Sequence, residues 1–282
     1  MSEPLTLLAV HAHPDDEVTG TGGVLARYGD EGVRTVVVTC TGGELGDGPD
    51  GMHPHQPGHD PDAVARLRRA ELETSCRVLG VGTLVRLGYR DSGMMGWPEN
   101  EDPRSFWRAP LAPAVERVGA LLEAHRPQVV ITYDPQGGYG HPDHIQAHRV
   151  AVAAVQAAGR PVRLCYTAWP RSWFARWIRE APRWGIDLSE WFEDGPPTDP
   201  PPGTPDEDVG YVVDIGTVVE RKRQALLAHG SQSDNGLWLR MPAEAFHTEM
   251  GREAFVAVDP ATLAVQAPDG EGPQPDLFAG LA

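Results

Sequence analysis

The feature that most constrains the fold of this chain is a polar segment, His11–Glu17, placed directly after an apolar run at residues 5–10. The run has the length and composition of a buried strand, and the segment holds two histidines and three carboxylates. A glycine-rich stretch at residues 20–23 follows, and then an apolar pattern with helical spacing. We therefore expect the segment at the carboxyl end of a first strand, where open α/β sheets bind their ligands.

The crowding of carboxylates in this segment indicates a bound cation. Adjacent carboxylates repel one another, so one of them takes up a proton unless a cation or hydrogen-bond donors compensate. Histidine nitrogens and aspartate oxygens are ligands that zinc accepts. The alternative is a solvated acidic loop in which Asp15 and Asp16 stabilise the start of the following helix.

A second polar cluster, residues 137–144, repeats this arrangement further along the chain. It reads Gly-Gly-Tyr-Gly-His-Pro-Asp-His and follows an apolar run at residues 128–134. Pro142 suits the first turn of a helix, and residues 145–156 have a helical composition. Both clusters are thus predicted at strand-to-helix junctions, which share one edge of a parallel sheet. We expect them to converge.

Strands and helices alternate along the first part of the chain. Further strands are predicted at residues 33–40, 83–89 and 162–169, and helices at residues 61–79 and 110–125. This order predicts an α/β fold with a Rossmann-like, doubly wound and mainly parallel sheet. We expect a metal-binding catalytic domain over residues 1–170. Residues 171–282 are expected to form a smaller α+β portion that closes the site over the substrate.

The C-terminal portion has a different character. Its predicted elements are a tryptophan-rich helix at 171–191, an exposed connection or lid at 194–208, a short strand at 211–215 and a helix at 217–229. The tail after about residue 260 lacks periodicity and is expected to be disordered. In the first part, the glycine- and histidine-rich residues 47–60 are expected to form a mobile surface loop.

Composition and charge exclude several classes of function. The formal net charge of −16 disfavours nucleic acid as a partner, because phosphate binding requires a basic surface. No apolar run approaches the roughly 20 residues of a membrane helix, and the N-terminus lacks the basic region of a signal peptide. The three widely spaced cysteines are expected to be reduced, which favours a cytoplasmic protein without a membrane partner.

Two further classes are disfavoured by particular residues. Neither glycine-rich stretch, 20–23 nor 41–48, matches a phosphate-binding loop or a dinucleotide fingerprint, so a nicotinamide-dependent oxidoreductase is a weak interpretation. The chain has one lysine, Lys222, which we expect on an exposed helical face. Schiff-base chemistry would depend on that single residue.

Taken with Arg90-Asp91-Ser92-Gly93-Met94, the two polar clusters resemble the LmbE-like (PIG-L) zinc-dependent deacetylase superfamily. Within it, the chain is most similar to two mycothiol-pathway members, the N-acetylglucosaminyl-inositol deacetylase and the mycothiol S-conjugate amidase. The similarity is strongest over residues 5–150. It implies a zinc-dependent hydrolase that removes the N-acetyl group from an amino-sugar substrate of the N-acetylglucosaminyl-inositol type.

Other functions stay open at this point. A mycothiol S-conjugate amidase or a secondary-metabolite deacetylase would carry the same clusters, and a non-catalytic sugar-binding protein could use the same metal. In each case the partner is a small amino sugar or glycoside. The sequence leaves the oligomeric state open.

By this resemblance, His13, Asp16 and His144 match the metal ligands, with Zn²⁺ as the expected cofactor and Fe²⁺ as the alternative. Two histidines and one carboxylate leave a coordination position open, which is the pattern of catalytic zinc. Asp15 matches the general base that takes a proton from the attacking water.

The second cluster matches the remaining catalytic groups. Tyr139 and His141 match residues that stabilise the oxyanion and protonate the leaving amine. Asp143 matches a carboxylate that orients and charges His141.

Substrate contacts are expected from three residues. Arg68 and Asp91 match contacts to the inositol and the sugar, although a small slip in alignment would exchange Arg68 for Arg66 or Arg69. Glu44, in the glycine-rich loop after the second strand, is a third candidate.

Three histidines outside the matched set have weaker roles. His11 is expected to support or pack against the site, and His148 to lie on a helix surface. His229 lies in a segment that resembles one near the family's substrate pocket, so it is a candidate contact to the bound substrate.

Overall fold

The apolar run near the N-terminus forms a strand, β1 (Thr6–His11), that is buried along its whole length. It belongs to a computed structural model of the chain, which describes residues 4–190, 192, 195, 197, 199–233, 235–266 and 272–281. Successive β1 side chains point into different hydrophobic cores. Leu7 and Ala9 lie in one core, and Leu8 and Val10 lie in the other. A strand buried on both faces is typical of the centre of a parallel sheet covered by helices.

In the described residues the sheet has seven strands, in the order β3-β2-β1-β4-β5-β7-β6. The strands after β1 are β2 (Arg34–Thr41), β3 (Thr83–Tyr89), β4 (Val129–Thr132), β5 (Arg163–Ala168), β6 (Tyr211–Asp214) and β7 (Arg252–Val258). The first five are parallel, whereas β7 is antiparallel to both β5 and β6. The predicted doubly wound, mainly parallel α/β fold is confirmed.

Helices cover both faces of this sheet. They are α1 (Asp16–Asp30), α2 (Pro61–Leu79), α3 (Leu111–His125), α4 (Gly137–Gly140), α5 (Pro142–Ala157), α6 (Arg171–Glu180), α7 (Val219–Ala228), α8 (Asn235–Arg240) and α9 (Ala243–Met250). Helices α1, α2 and α7 pack together on one face, and α3 packs on α5 on the other. From β1 the chain winds outward through β2 and β3, and then returns to the opposite side of β1 as β4. The loops after β1 and β4 therefore flank a topological switch point of the sheet, where ligands bind.

The C-terminal portion differs from the prediction in several elements. The expected helix over 171–191 ends at Glu180 and continues as short 3₁₀ turns, and Trp191 lies outside the described residues. The strand β7 was not predicted, although it is buried at all but its first position. Of the predicted connection at 194–208, residues 194, 196 and 198 lie outside the described residues. Thr204 in this connection pairs with the backbone of Trp169 and Arg171.

Lys222 is the clearest correction to the sequence analysis. Its side chain was expected on an exposed face, but it is 1 % exposed. Nζ donates to Glu253 Oε1 at 2.6 Å and to the carbonyl of Thr19 at 3.1 Å. Glu253 also accepts the N–H groups of Gly23 and Val24 in α1, at 2.7 and 2.8 Å. This buried ion pair joins α1 to α7 and β7.

The tail is also more ordered than expected where it is described. Residues 267–271 lie outside the described residues, but Leu277 and Phe278 are buried in the core beside α1. The hydroxyl of Tyr28 donates to Asp276 and accepts the N–H of Leu277, both at 2.8 Å. Burial of apolar side chains therefore holds a segment whose sequence shows no periodicity.

Two further observations concern the cysteines and the possibility of a membrane-spanning helix. All three cysteines are buried and carry free thiols. Within the described part of the chain, no helix combines the length and the apolar character that crossing a bilayer requires.

Candidate active site

The two predicted polar clusters meet at the switch point between β1 and β4. Asp16 Oδ2 lies 3.3 Å from His13 Nδ1, and Asp16 Oδ1 lies 3.5 Å from His144 Nε2. The two histidine nitrogens are 3.3 Å apart. Zinc forms bonds of about 2.0–2.1 Å to such atoms, so a tetrahedral ion places neighbouring ligand atoms about 3.3–3.4 Å apart. Each histidine faces a different oxygen of Asp16, and all three pairwise distances are close to this value.

Other combinations of nearby side chains can also be considered as ligand sets. In the described residues, His13, His141 and His144 have ligand atoms within 4.8 Å of one another, and so do His13, Asp91 and Asp143. We favour the set that contains Asp16, because both its oxygens face histidine nitrogens and its charge compensates a divalent ion. No histidine of the 47–60 loop belongs to either set.

The far side of the His13 ring is held by carboxylates. His13 Nε2 lies 3.2 Å from Asp143 Oδ2 and 3.7 Å from Asp91 Oδ1. Asp143 in turn accepts the hydroxyl of Ser92 and, at 2.9 Å, its N–H. A carboxylate on the outer nitrogen fixes the ring orientation and the tautomer of a metal-binding histidine. The arrangement leaves His13 Nδ1 directed at Asp16 and His144.

This contact of Asp143 corrects the sequence analysis, in which its carboxylate orients His141. The backbone N–H of Asp143, not its carboxylate, bonds to His141, with Nδ1 accepting at 3.1 Å. His141 is the N-cap of α5 and Asp143 lies in the first turn of that helix. The first turn thus directs the carboxylate away from His141 and onto His13.

His144 is positioned by the turn that precedes its helix. Its Nδ1 lies 3.2 Å from the carbonyl oxygen of Gly137, which leaves Nε2 free for the metal site. Gly137 has a φ of +67°, and a Cβ there would lie 2.8 Å from the Cβ of His144. Only glycine allows this close approach. On its other side, the His144 ring stacks on Tyr133 with centroids 4.1 Å apart.

His141 and Tyr139 lie beside the metal site, and the rings of both are neighbours of the His144 ring. Their centroids are both 5.1 Å from that of His144. Burial lowers the pKa of His141 to about 2, and the neighbouring histidines add to the effect. The ring is therefore neutral at pH 7, and because Nδ1 accepts a hydrogen bond, Nε2 carries the proton. Tyr139 is 67 % exposed and so lies at the surface of the site.

Asp15 lies next to a predicted ligand in sequence, but its carboxylate has a different partner. Oδ2 accepts from Arg68 Nη2 at 3.1 Å. Asp15 is the N-cap of α1, yet its side chain makes no capping hydrogen bond, and its φ is +104°. Asp15 therefore does not cap the helix through its side chain, whereas Asp16 lies in the first turn of the helix. Burial raises the pKa of Asp15 to about 6, against the opposing effect of Arg68.

Of the three arginines considered on α2, Arg68 alone reaches the site. It is buried and donates to the carbonyl oxygens of Gly43 and Pro14, at 2.9 and 2.5 Å, as well as to Asp15. Arg66 is exposed, and Arg69 pairs with Glu73 at the surface. The guanidinium of Arg68 thus joins the loops after β1 and β2.

The other two predicted substrate contacts lie together behind His13. The backbone N–H of Asp91 donates to Glu44 Oε2 at 2.9 Å. Asp91 itself accepts the N–H groups of Gly93 and Leu45, at 2.8 and 3.2 Å. Burial raises the pKa of Glu44. Both carboxylates hold the loops after β2 and β3 in place.

The three further histidines are all buried, and two of them differ from expectation. His11 Nε2 bonds to Thr21 Oγ1 at 2.8 Å, beneath the metal site. His148 was expected on a helix surface, but it is buried with Nδ1 2.9 Å from the Tyr133 carbonyl. His229 was a candidate substrate contact, but it is fully buried and lies 2.7 Å from Glu17 Oε1.

Sequence reasoning missed two residues of the site, Tyr133 and Ser92. The Tyr133 hydroxyl accepts the N–H of Ala12 at 2.8 Å, so it supports the loop that carries the ligands. Ser92 holds Asp143, as described above. Tyr133 lies near the end of the apolar run at 128–134, and Ser92 lies within the Arg90–Met94 motif; those positions were the signals that could have identified them.

A cavity of about 870 Å³ extends from the metal site into the C-terminal portion. At one end it is lined by Asp16, Tyr139 and His144. The other end is mainly aromatic, and its walls include Trp169, Trp173, Phe174, Trp238 and the prolines at 202 and 205. Trp169 and Trp238 stack with centroids 5.0 Å apart. The metal site therefore opens toward an apolar chamber.

Comparison with known proteins identifies the class to which this fold and site belong. Residues 8–155, which carry both polar clusters, match the family described as PIG-L, GlcNAc-PI de-N-acetylase. The chain belongs to this family, so the predicted resemblance is confirmed.

Curated relatives match along nearly the whole chain. A 1D-myo-inositol 2-acetamido-2-deoxy-alpha-D-glucopyranoside deacetylase of Acidothermus cellulolyticus is 42 % identical over 284 residues, covering 98 % of this chain and 95 % of the relative. The protein of the same name from Geodermatophilus obscurus is 38 % identical, covering 100 % of this chain and 99 % of the relative. The similarity therefore includes the C-terminal portion.

Solved structures share the fold. The N,N'-diacetylchitobiose deacetylase of Pyrococcus horikoshii has a TM-score of 0.56 at 21 % identity, covering 91 % of this chain and 84 % of that one. GalB, a 4-carboxy-2-hydroxymuconate hydratase of Pseudomonas putida, has a TM-score of 0.61 at 17 % identity, covering 95 % of this chain and all of that one. A deacetylase and a hydratase thus share this architecture, so the reaction has to be argued from the site.

Proposed function

We propose that this protein is a zinc-dependent hydrolase that removes the N-acetyl group from an amino sugar of the N-acetylglucosaminyl-inositol type. The observation that carries the proposal is the close approach of His13, Asp16 and His144: the two histidine nitrogens lie 3.3 Å apart, and each faces one Asp16 oxygen, at 3.3 and 3.5 Å. The names of the relatives supply the substrate class. Fe²⁺ in place of Zn²⁺ stays an alternative.

His13 Nδ1, the Asp16 carboxylate and His144 Nε2 would hold the ion. When bound, a divalent metal in such a site supplies a Lewis acid that polarises the substrate carbonyl. Asp143 and the Gly137 carbonyl hold the outer nitrogens of the two histidines, so the protein presets both rings. This preset geometry supports a catalytic role for the ion.

Asp15 acts in this proposal as the general base. Its carboxylate takes a proton from water, the water oxygen bonds to the amide carbon, and the carbon–nitrogen bond then breaks. The proton passes to the departing nitrogen, so the products are acetate and a free amine. Arg68 holds the base in place, and a pKa of about 6 keeps its carboxylate largely ionised at neutral pH. A positioned base of this kind contributes about 10²–10⁴-fold to the rate.

His141 and Tyr139 are proposed to stabilise the negative charge that develops on the carbonyl oxygen. The neutral His141 ring carries its proton on Nε2, so it can donate a hydrogen bond to that oxygen. Because Nε2 already carries a proton and Nδ1 accepts the Asp143 N–H, the proton for the departing amine comes from Asp15 and not from His141. Tyr139, at the exposed edge of the site, is placed to contact bound substrate.

Substrate recognition is the least constrained part of the proposal. Arg68, Asp91 and Glu44 stay predicted substrate contacts, although each already bonds within the protein. We propose that residues 171–282 close the site, because they supply the aromatic end of the cavity. The cytoplasmic location stays a prediction.

The proposal is tested by the release of acetate. Zinc-loaded protein should release acetate from N-acetylglucosaminyl-inositol and, more slowly, from simpler N-acetylglucosamine derivatives. Asp15→Asn should retain zinc and lose this activity. A protein that binds zinc and the sugar without hydrolysing any amide of a broad panel would instead be a metal-dependent sugar-binding protein, and the proposal would be wrong.

The size of the cavity favours a second candidate, an amidase for bulky conjugates. A chamber of about 870 Å³ with tryptophan walls has room for an apolar group attached to the amide substrate. An amidase should cleave large thioether conjugates at rates comparable to those for small acetamides. Reaction with small acetamides only would exclude it.

A further inference from the structure

Three consecutive carboxylates at the start of α1 each have a separate partner. Asp15 pairs with Arg68, and Asp16 faces His13 and His144. The third carboxylate, Glu17, is fully buried and has partners other than Arg68, His13 and His144. Charge repulsion among the three is therefore relieved in three different directions.

Glu17 is held by two buried donors from distant parts of the chain. Its Oε1 accepts the Ser75 hydroxyl of α2 at 2.5 Å and lies 2.7 Å from Nε2 of His229, just after α7. Ser75 and His229 are both fully buried. Although burial acts in the opposite direction, His229 lowers the pKa of Glu17 and Glu17 raises that of His229.

The second oxygen of Glu17 supports the backbone of the proposed base. Oε2 accepts the N–H of Asp15 at 2.9 Å. Asp15 has a φ of +104°, a conformation that residues other than glycine adopt only when their surroundings impose it. With Arg68 on its carboxylate and Glu17 on its N–H, Asp15 is held at both ends.

We infer that Glu17 and His229 form a buried positioning pair that fixes the orientation of Asp15 without touching the substrate. His229 holds the Glu17 carboxylate, and Glu17 holds the backbone N–H of Asp15. The Asp15 carboxylate is thereby kept in one orientation. The inference rests on the proposed function of Asp15 as the base. It also gives the C-terminal portion a part in the reaction geometry, since His229 belongs to that portion.

The test compares two substitutions of His229 with a control in α1, the helix that carries Glu17. His229→Leu removes the donor at similar volume, whereas His229→Gln places an N–H group near the position of Nε2. Tyr28→Phe is the control, because it deletes a buried hydrogen bond between the far end of α1 and the tail. The readouts are kcat, KM, zinc content, the midpoint of thermal unfolding, and hydrogen exchange of the Asp15 amide in metal-free protein.

We expect His229→Leu to lower kcat by about 10²-fold, the effect of a displacement of about 1 Å at a reacting group. KM and zinc content should stay unchanged, and the Asp15 amide should exchange faster. His229→Gln should recover most of kcat and of the protection. Tyr28→Phe should lower the unfolding midpoint without changing kcat.

Equal kcat values for His229→Leu and Tyr28→Phe, with a protected Asp15 amide, would overturn the inference. If His229→Leu does not fold, Ser75→Ala removes one donor to Glu17 and should lower kcat about five- to tenfold with faster Asp15 exchange. Unchanged kcat and exchange in that variant would also overturn it. If the wild type hydrolyses no amide, the proposed function fails, while hydrogen exchange still tests the contact.

Discussion

The parallel and antiparallel parts of this sheet contribute differently to the molecule. The parallel part, β3-β2-β1-β4-β5, places the junctions after β1 and β4 at one edge, and these junctions carry the proposed ligands His13, Asp16 and His144. The antiparallel part, β7 and β6, carries no candidate ligand. Its neighbouring segments instead supply buried partners such as His229, Lys222 and Glu253, and the aromatic wall of the cavity.

The difference separates two tasks. Parallel strands bring their carboxyl ends together, so side chains distant in sequence can share one ion. Antiparallel strands alternate in direction and create no such edge, but here they fasten the C-terminal portion onto α1. Substitutions in the first region should abolish the chemistry, whereas those in the second, apart from His229, should change stability or the range of substrates.

The largest expected effect lies in the parallel region, at His144. His144→Leu removes one of the three proposed ligands, so bound zinc and hydrolytic activity should both fall to background. Zinc content by elemental analysis and acetate release measure the two quantities. In the wild type, a chelator should abolish activity and added zinc should restore it; retention of a full zinc equivalent by the variant would show that His144 is not a ligand.

Asp15→Asn should have the next largest effect. The amide cannot accept the proton from water, so kcat should fall by about 10²–10⁴-fold while zinc content stays at the wild-type level. Steady-state kinetics and elemental analysis on the same sample distinguish loss of the base from loss of the metal. A decrease of only a few fold would exclude Asp15 as the base.

In the second region, Lys222→Met should act on folding. The substitution leaves Glu253 as a buried charge without its cation, which typically lowers the free energy of unfolding by about 3–5 kcal/mol. Denaturant unfolding measures the loss. Lys222→Met with Glu253→Gln should recover part of it, because no unpaired charge remains. A double variant less stable than the single one would contradict this explanation.

The smallest expected effect concerns the aromatic wall. Trp238→Leu should raise KM for a bulky apolar conjugate about tenfold, or about 1.4 kcal/mol of binding free energy, and leave KM for small acetamides unchanged. Trp184→Leu is a matched control, because this tryptophan packs on the core and does not line the cavity. Equal effects of the two substitutions would show that the wall does not contact substrate.

The parts of the molecule that could be predicted are those in which the pattern is local. β1 and the His11–Glu17 segment are contiguous, and residues 137–144 lie directly after another apolar run, so the switch point could be located from the sequence. The contacts of individual residues could not be predicted from the sequence. Tyr133 supports Ala12 across 121 positions, and Asp143 binds His13 across 130, distances over which periodicity carries no information.

Lys222 shows the same limit in the C-terminal portion. Its charged neighbours in Glu-Arg-Lys-Arg-Gln are typical of an exposed helix. Its burial is tolerable because Glu253, in an unpredicted strand, and the Thr19 carbonyl accept its hydrogen bonds. The tail was misjudged for a related reason. Leu277 and Phe278 are too few to form a pattern, yet both are buried against residues far away in sequence.

The buried ion pair of Lys222 and Glu253, which contacts α1, affects how proteins of this kind can diversify. Gly23 and Val24 donate their backbone N–H groups to a side chain from β7, so the helix that begins with Asp16 is completed by the far end of the chain. We therefore expect the first 170 residues to depend on β7 for part of their stability. A change of specificity should succeed when the exchanged loops leave Lys222, Glu253 and their contacts with α1 intact. It should fail when the N-terminal half of one relative is joined to the C-terminal half of another.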